Sequence, residues 1–352
     1  MREFVNKVVI EGYLRENNLE AKRNDSGDDV ISGSVIVSIS EHNSIRAQIY
    51  VRKQKRDASG AITGENAQYA KLLKMLPQYT SSIATALNAN KEMNFADAAE
   101  VASKVYVIGS LQEYVRGNGN EANDYSVRAF SFGFKTIDAA HPFNPHAVFD
   151  VECMVKAVQP IGDGKQVRVL GIIPEPYSSQ GADILAFVAK DPQIAAPIQT
   201  YYLPNTTVRI SGDLVNSYST VVKEGVKAAF GRSFEPTTET VFVHELLIAG
   251  STAPVDSTNP MAFQVEEMRD FLAKREQYVA ERMEAVQKSG KPSAPAMPTP
   301  SKNWAFNMPT ATAPAAPAPV APVAPANQPP VMATPVIEDN TPPWAFDASP
   351  KW

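Results

Sequence analysis

Hydrophobic and polar residues alternate along much of the first 140 positions. Alternation with a period of two is typical of a β-strand with one buried face. It predicts strands near residues 4–20, 29–40, 44–55, 103–116 and 123–137. Between the third and fourth strands, residues 67–87 have helical spacing, and Pro77 is expected to break that helix. Three strands, a helix and two strands is the order of an oligonucleotide-binding (OB) barrel. The apolar residues of this helix are expected in the barrel core: Tyr69, Leu72, Leu73, Met75 and Leu76.

A short motif, V-x-I-x-G-x-L, recurs at three places in these strands. It occupies residues 8–14, recurs with valine for isoleucine at 105–111, and recurs again at 208–214. A glycine inside a strand normally weakens it, so its recurrence indicates a bulge, a bend or a close backbone approach. Small, strongly coiled barrels need such corners.

A second cycle of strands follows the first. Strands are predicted near 147–160, 165–173, 184–189, 207–218 and 240–249, with a short segment at 194–202. Residues 259–289 are predicted to form an amphipathic helix that starts at Asn259-Pro260 and packs on the second barrel or self-associates as a coiled coil. Its apolar stripe would be Met261, Val265, Met268, Leu272, Val279, Met283 and Val286. The predicted fold is mainly β: OB-fold five-stranded barrels at 1–140 and 144–252, the helix at 259–289, and a disordered Pro/Ala-rich tail at 290–352.

The third strand carries the chemistry most typical of a binding face. One side of it is apolar, and the other side carries Arg46, Gln48, Tyr50 and Arg52. Single-stranded nucleic acid exposes phosphates and unstacked bases, so a surface that interleaves cations with aromatic rings suits it. The alternative is an ordinary solvated sheet face.

Further candidate nucleic-acid-binding residues flank this strand. Lys7, Tyr13 and Arg15 are predicted on the outer face of the first strand, and Lys53, Lys55 and Arg56 in the loop before the helix. The hairpin of the fourth and fifth strands offers Tyr106, Tyr114, Arg116, Tyr125 and Arg128. Phe130, Phe132 and Phe134 are interpreted as core residues, and Lys156, Lys165 and Arg168 of the second barrel as weaker candidates.

Composition argues against catalysis and against metal binding. The single cysteine, Cys153, cannot form an intrachain disulfide, and the four histidines have no metal-ligand spacing. We therefore expect no catalytic residues, no metal and no cofactor. The formal net charge is −5, yet residues 42–56 hold five cations and no acid, and local basic density is what nucleic-acid binding requires. No apolar stretch is long enough to cross a bilayer and no signal-peptide core is present, so we expect a cytoplasmic protein without a membrane partner.

The Pro-rich tail holds all three tryptophans, and 16 of the 28 prolines lie between Pro292 and Pro350. The tripeptide Trp-Ala-Phe occurs twice, as Trp304 to Phe306 and as Trp344 to Phe346, and Trp352 ends the sequence. Exposed aromatic anchors on a flexible tether favour docking to a protein partner. The alternative is that the tryptophans fold back onto the barrels and compete with nucleic acid.

Together these patterns resemble the bacterial single-stranded DNA-binding protein family, in particular tandem-barrel forms encoded by phages. The resemblance is carried by residues 6–14, 105–111 and 125–132 and, in the tail, by Glu338-Asp339 followed by Pro343 to Phe346. It implies sequence-independent binding of single-stranded DNA in the cytoplasm of a bacterium or a phage-infected host. It also implies recruitment of replication or recombination proteins through Trp304, Phe306, Trp344, Phe346 and Trp352. Rival hypotheses are an OB-fold RNA-binding or regulatory protein and a non-enzymatic scaffold or virion protein.

Overall fold

A computed structural model describes residues 2–57, 60–114, 124–139, 141–176, 178–223 and 237–289. The first half of the chain forms β1 (Asn6–Arg23), β2 (Asp29–Ser38), β3 (Ser44–Arg52), β4 (Gln54–Arg56), β5 (Ile62–Glu65), α1 (Ala67–Met75), α2 (Ile83–Ala89), α3 (Phe95–Val101), β6 (Lys104–Tyr114) and β7 (Asp124–Phe134). The second half forms β8 (His146–Ile161), β9 (Gln166–Glu175), β10 (Gly181–Ala189), α4 (Pro192–Tyr201), β11 (Thr207–Lys223), β12 (Thr237–Ser251) and α5 (Val265–Ser289). The tail, with the five aromatic residues predicted to bind partners, lies outside the described residues, as does Arg116.

The first barrel has the strand order of an OB fold. Its strands pair in the order β1-β2-β3-β7-β6, and β6 closes the barrel by pairing with β1. All these pairings are antiparallel except β3 with β7, which run parallel. The second barrel repeats the arrangement as β8-β9-β10-β12-β11, closes through β11 with β8, and has its parallel pair at β10 and β12. The predicted pair of five-stranded OB barrels is thus confirmed.

The two barrels are joined through their first strands. β1 and β8 pair antiparallel from Asn6 opposite Val151 to Glu11 opposite His146. One hydrophobic cluster runs through both interiors, from Val8 and Ile10 of the first barrel to Ile210 and Ile248 of the second. Both barrels and α5 accordingly belong to one compact unit, Met1–Pro295.

Two of the repeated glycines mark equivalent bulges in the two barrels. The pairing of β6 with β7 shifts register at Gly109, and the pairing of β11 with β12 shifts at Gly212. A Cβ at Gly109 would lie 2.3 Å from the Arg128 carbonyl oxygen, and one at Gly212 would lie 1.8 Å from the Leu247 oxygen. Neither position can hold a larger residue, so the predicted close backbone approach is confirmed.

The helical region between β3 and β6 is more broken than predicted. α1 ends at Met75, a 3-10 turn spans Leu76–Gln78, and α2 starts at Ile83, so the break at Pro77 is confirmed. Leu72 is buried in the core, but Leu73 is 44% exposed because it lies one residue further around the helix. The sequence interpretation missed α3, whose short length leaves little periodicity to detect.

Helix α5 begins six residues later than predicted. Residues 259–264 form turns instead, and they place Phe263 in a buried site where its amide donates to Thr207 Oγ1 (2.8 Å). Met261, predicted in the apolar stripe, is 69% exposed because it lies in those turns. The first half of α5 packs on the second barrel, where Met268 and Phe263 share a cluster with Ile172 and Ile184, so that interpretation of the helix is confirmed. No described helix is both long enough and apolar enough to cross a membrane.

Candidate functional site

The outer face of β3 presents an open row of polar and aromatic side chains. Ile45, Ala47, Ile49 and Val51 are all at most 5% exposed and face the core. Between them, the outward positions are all exposed: Arg46, Gln48, Tyr50 and Arg52. The predicted orientation of this strand is confirmed. We call these four residues the β3 row.

Tyr50 is held in place by its neighbours and still exposes its ring. Its hydroxyl accepts a hydrogen bond from Asn24 Nδ2 (3.1 Å) and another from Arg52 Nε (3.4 Å). The Arg52 guanidinium also lies 5.7 Å from the centre of the Tyr50 ring. Both hydrogen bonds stabilise the phenolate, and the one from Arg52 has the larger effect. They lower the pKa of Tyr50 below its ordinary value. With 46% of its surface exposed, the ring can accept a flat partner without rearrangement.

The strands on either side of β3 extend this surface. On β2, Ser32 lies opposite Tyr50 and Ser34 lies opposite Gln48, so the floor there is low and polar. On β7, Arg128 lies beside Gln48 and is exposed. On the other side of β2, β1 presents the carboxylates of Glu16 and Glu20, which mark the edge of the surface there.

Phe130 belongs to this surface and not to the core. The register between β6 and β7 shifts so that Ile108 pairs with Ser131 and Gly109 with Ala129, which leaves Phe130 as the extra residue of a bulge. Its ring is 51% exposed, whereas Phe132 after the bulge is buried. The interpretation of Phe130 as a core residue was therefore wrong, because a bulge inverts the alternation from which it was made. The glycine at 109 was the sequence feature that could have indicated it.

Basic residues continue from the end of β3 into a β-hairpin. Lys53, Lys55 and Arg56 lie at or in β4, which pairs with β5, where a loop was expected. Lys53 pairs with Asp29 (3.2 Å) and Arg56 with Asp28 (2.7 Å), so part of their charge is compensated. Among the residues that the structure describes, Arg46 and Lys55 have no ion-pair partner.

Three predicted candidates are withdrawn from solvent. Arg15 is only 7% exposed, because its guanidinium lies between Ser44 Oγ (3.4 Å) and Tyr218 of the second barrel. Burial lowers its pKa from the ordinary value. Tyr13 is half-buried beneath Phe143, with the ring centres 5.0 Å apart. Tyr125 is buried because it stacks on His244 of the second barrel. The predicted solvent exposure of these three side chains is wrong, because the second barrel and the inter-barrel segment cover them.

The remaining candidates lie away from the β3 row or outside the described side chains. Lys7 is exposed, but it lies in the half of β1 that pairs with β8. Tyr106 is half-buried against Gly133, and its hydroxyl lies 3.5 Å from Lys71 Nζ. Tyr114 is the last residue of β6, and its side chain is not among those that the structure describes. Glu11, on the same strand, is 5% exposed and paired with Lys135.

In the second barrel, α5 covers the first part of the face equivalent to the β3 row. In the first barrel, Ala47 of β3 pairs with Val127, and Val127 pairs with Leu111 of the glycine motif. In the second barrel, Phe187 of β10 pairs with Leu246, and Leu246 pairs with Leu214 at the same place in the motif. This register makes Ala186 the counterpart of Arg46 and Ile184 that of Ser44. Both pack against the cluster formed with α5. Phe4 of the N-terminal segment packs on the same cluster.

No cluster of metal-ligating side chains accompanies these surfaces in the described part of the chain. No group of three or more histidine, cysteine, aspartate or glutamate side chains is placed there to hold a metal ion. Burial raises the pKa of the Cys153 thiol to about 12, so the sulfur is held as a neutral thiol in the core. Its Sγ occupies the space left by Gly171 on the facing strand.

Fold and surface together define a tandem OB-barrel protein with one open and one covered face. The family model named YorF matches residues 5–285, which include both barrels and most of α5, and the chain belongs to the YorF family. A comparison with curated proteins finds no match. Among solved structures, the wild-type single-stranded DNA binding protein from Thermus aquaticus is similar with 10% sequence identity and a TM-score of 0.37. A deletion mutant of that protein gives 12% identity and a TM-score of 0.38. Each match covers 74% of this chain and all of the other.

Proposed function

We propose that this protein binds single-stranded DNA without sequence preference on the outer face of its first barrel. The observation that carries the proposal is the β3 row, in which two arginines flank an exposed and fixed tyrosine, with Arg128 and Phe130 on the adjacent strand. Arginine provides forked hydrogen bonds to phosphate, and an aromatic ring stacks on any base. Because this chemistry uses the backbone and the base faces, it does not distinguish between sequences.

The proposal includes a division of labour along the chain. The first barrel binds nucleic acid, and the tail recruits replication or recombination proteins through Trp304, Phe306, Trp344, Phe346 and Trp352. Support for the tail's role comes from the duplicated Trp-Ala-Phe tripeptide and its Pro-rich setting. Deletion of residues 290–352 should leave oligo-dT binding intact and abolish capture of the partner enzymes. Loss of DNA binding in that truncation would contradict the division.

The decisive experiment is titration of labelled oligo-dT at two salt concentrations. Binding should weaken steeply as salt rises, because bound phosphates release counterions. The variant R46A/Y50A/R52A should lose at least about a hundredfold in affinity, given roughly 1–3 kcal/mol for the stack alone and the loss of two phosphate contacts.

A matched control is available in the second barrel. The variant K156A/R168A/Y201A also removes two exposed cations and one exposed tyrosine, the latter 64% exposed. It should bind as the wild type does if the β3 row, and not these weaker candidates of the second barrel, carries the binding. Equal losses in the two variants would show that net charge, and not the β3 row, governs binding. Stronger competition by oligo-U than by oligo-dT would favour the RNA-binding rival, and no salt-sensitive binding at all would favour the scaffold.

A further inference from the structure

The hairpin of β11 and β12 reaches past its own barrel onto the first one. The two strands remain paired from Ile210 opposite Ser251 to Lys223 opposite Thr237. Beyond Leu214 and Leu246, which are in the core, the hairpin leaves the second barrel. An isolated bridge between Asn43 and Ser217 joins it to the turn between β2 and β3.

Several contacts fix the hairpin against the start of β3. Asn216 donates from Nδ2 to the Ser44 carbonyl (2.7 Å), and its amide donates to Asn43 Oδ1 (3.0 Å). On the other strand, His244 stacks on Tyr125 with the ring centres 4.1 Å apart and an interplanar angle of 6°. The hairpin is therefore a fixed part of the first barrel's surroundings.

The hairpin adjoins the β3 row directly. Ser44 shares the outward side of β3 with Arg46, yet only 9% of it is exposed, because the hairpin and Arg15 cover it. The next outward position, Arg46, is exposed. The open surface of the first barrel thus ends at the hairpin of the second.

At this boundary the hairpin carries an aromatic pair, of which Tyr218 is half-buried and Phe242 is exposed. Phe242 lies opposite Tyr218, and Tyr218 in turn meets His42 edge-on, with the ring centres 5.1 Å apart. Phe242 is 63% exposed, more than Tyr50 or Phe130. A phenyl ring in water adds nothing to either core, whereas it has a π-face on which any base can stack.

We propose that Phe242 is a second stacking position for the same DNA strand, which would pass from the β3 row across the barrel junction onto the hairpin. This inference rests on the proposed function of the β3 row and extends its site to the second barrel. The occupant is a nucleobase of single-stranded DNA, because the hairpin adjoins the β3 row, whose two arginines suit the phosphates. In this arrangement the second barrel contributes to binding through its hairpin and not through its covered face.

The length of the bound oligonucleotide tests the inference. Single OB barrels bind roughly 4–16 nucleotides, so an oligo-dT of about 5 nucleotides can occupy the β3 row alone and one of about 16 can also reach the hairpin. In the full-length protein, Phe242→Ala should weaken binding of the longer oligonucleotide by about tenfold or more and leave the shorter one within about twofold. Val241→Ala is the matched control, since Val241 is the adjacent residue, 38% exposed, and points to the other side of β12.

A second measurement reads the contact directly. In the wild type, the longer oligo-dT substituted with 5-bromodeoxyuridine should photo-crosslink to Phe242. The shorter one should crosslink only to residues of the first barrel. If Phe242→Ala changes neither affinity while R46A/Y50A/R52A abolishes both, the hairpin inference fails and the proposed function stands. Equal weakening of both lengths by Phe242→Ala would also overturn it. Absence of binding by the wild type would remove both proposals.

Discussion

The two barrels share one topology and differ in what lies on a single face. In the first barrel, the outer side of β3 carries Arg46 and Gln48 and is open to solvent. In the second, the equivalent positions on β10 are Ala186 and Val188, and α5 packs on Ala186 and on Ile184 before it. The strand order, the parallel pair and the bulges are the same in both. A fold thus fixes where a surface lies, whereas the residues at a few outward positions decide its use.

The difference also explains why the second barrel keeps its helix. An outer face made of Ile172, Ile184 and Ala186 would be an apolar patch in water, and α5 buries it with Met268 and Phe263. In the first barrel, serines and arginines occupy such positions and need no cover. The apolar face of β10 and the helix α5 therefore depend on each other, because each buries the apolar side of the other.

The largest expected effect comes from the ion pair that ties α5 to the first barrel. Arg275 donates to both carboxylate oxygens of Glu113 (2.6 and 2.8 Å), and both side chains are at most 4% exposed. Arg275→Met leaves a buried carboxylate uncompensated and should lower the free energy of unfolding by about 3–5 kcal/mol in urea titrations. The double variant E113Q/R275M should recover much of this loss. A change below about 1 kcal/mol in the single variant would mean that α5 is not anchored by this pair.

A pH-dependent effect is expected where β10 meets the same pair. Burial, together with Glu175 and Glu113, raises the pKa of Asp183 to about 8, although Arg275 partly opposes this, and Gln180 donates to its Oδ1 (2.6 Å). The folded state therefore holds a proton that the unfolded state releases near pH 4. Stability from this group is fully present below about pH 4 and is lost as pH rises toward 8, by at most about 1.4 kcal/mol per pH unit.

Asp183→Asn removes the titrating carboxyl and keeps the acceptor for Gln180. Urea unfolding of this variant between pH 6 and pH 8 should show a flatter pH dependence than the wild type. Parallel curves for the two proteins would show that Asp183 titrates normally in the fold.

A reciprocal exchange between the two faces separates stability from binding. Ala186→Arg places a long charged side chain beneath α5 and should cost about 1–3 kcal/mol of stability, with oligo-dT affinity unchanged. Arg46→Ala, at the equivalent position, should change stability by less than about 0.5 kcal/mol and weaken oligo-dT binding severalfold. Thermal unfolding and titration of both variants make the comparison. Strong binding loss in Ala186→Arg, without loss of fold, would show that the covered face also contacts DNA.

The sequence predicts β3 well because this strand has one buried side, and the alternation at 44–52 gives the β3 row residue by residue. It misses β4 and β5, which are exposed on both sides. It predicts poorly wherever a distant element decides exposure. The alternation of the first strand predicts Arg15 as an outward cation, yet Tyr218, some two hundred positions later, covers it. Phe130 reads as core, yet a bulge turns it outward. Phe242 has an ordinary strand context, and only the docking of its hairpin brings it to the first barrel.

The finest test of the open face concerns how Tyr50 contributes to it. Its hydroxyl serves to fix the ring through Asn24 and Arg52, whereas the ring itself is what a base would contact. Tyr50→Phe keeps the ring and removes only those two hydrogen bonds, so oligo-dT affinity should fall by less than about threefold, in contrast to roughly tenfold or more for Tyr50→Ala. Fluorescence titrations of the two variants at one salt concentration give the ratio. If Tyr50→Phe weakened binding as much as Tyr50→Ala does, the hydroxyl and not the ring would be the contact, and the open face would bind its ligand by hydrogen bonds instead of stacking.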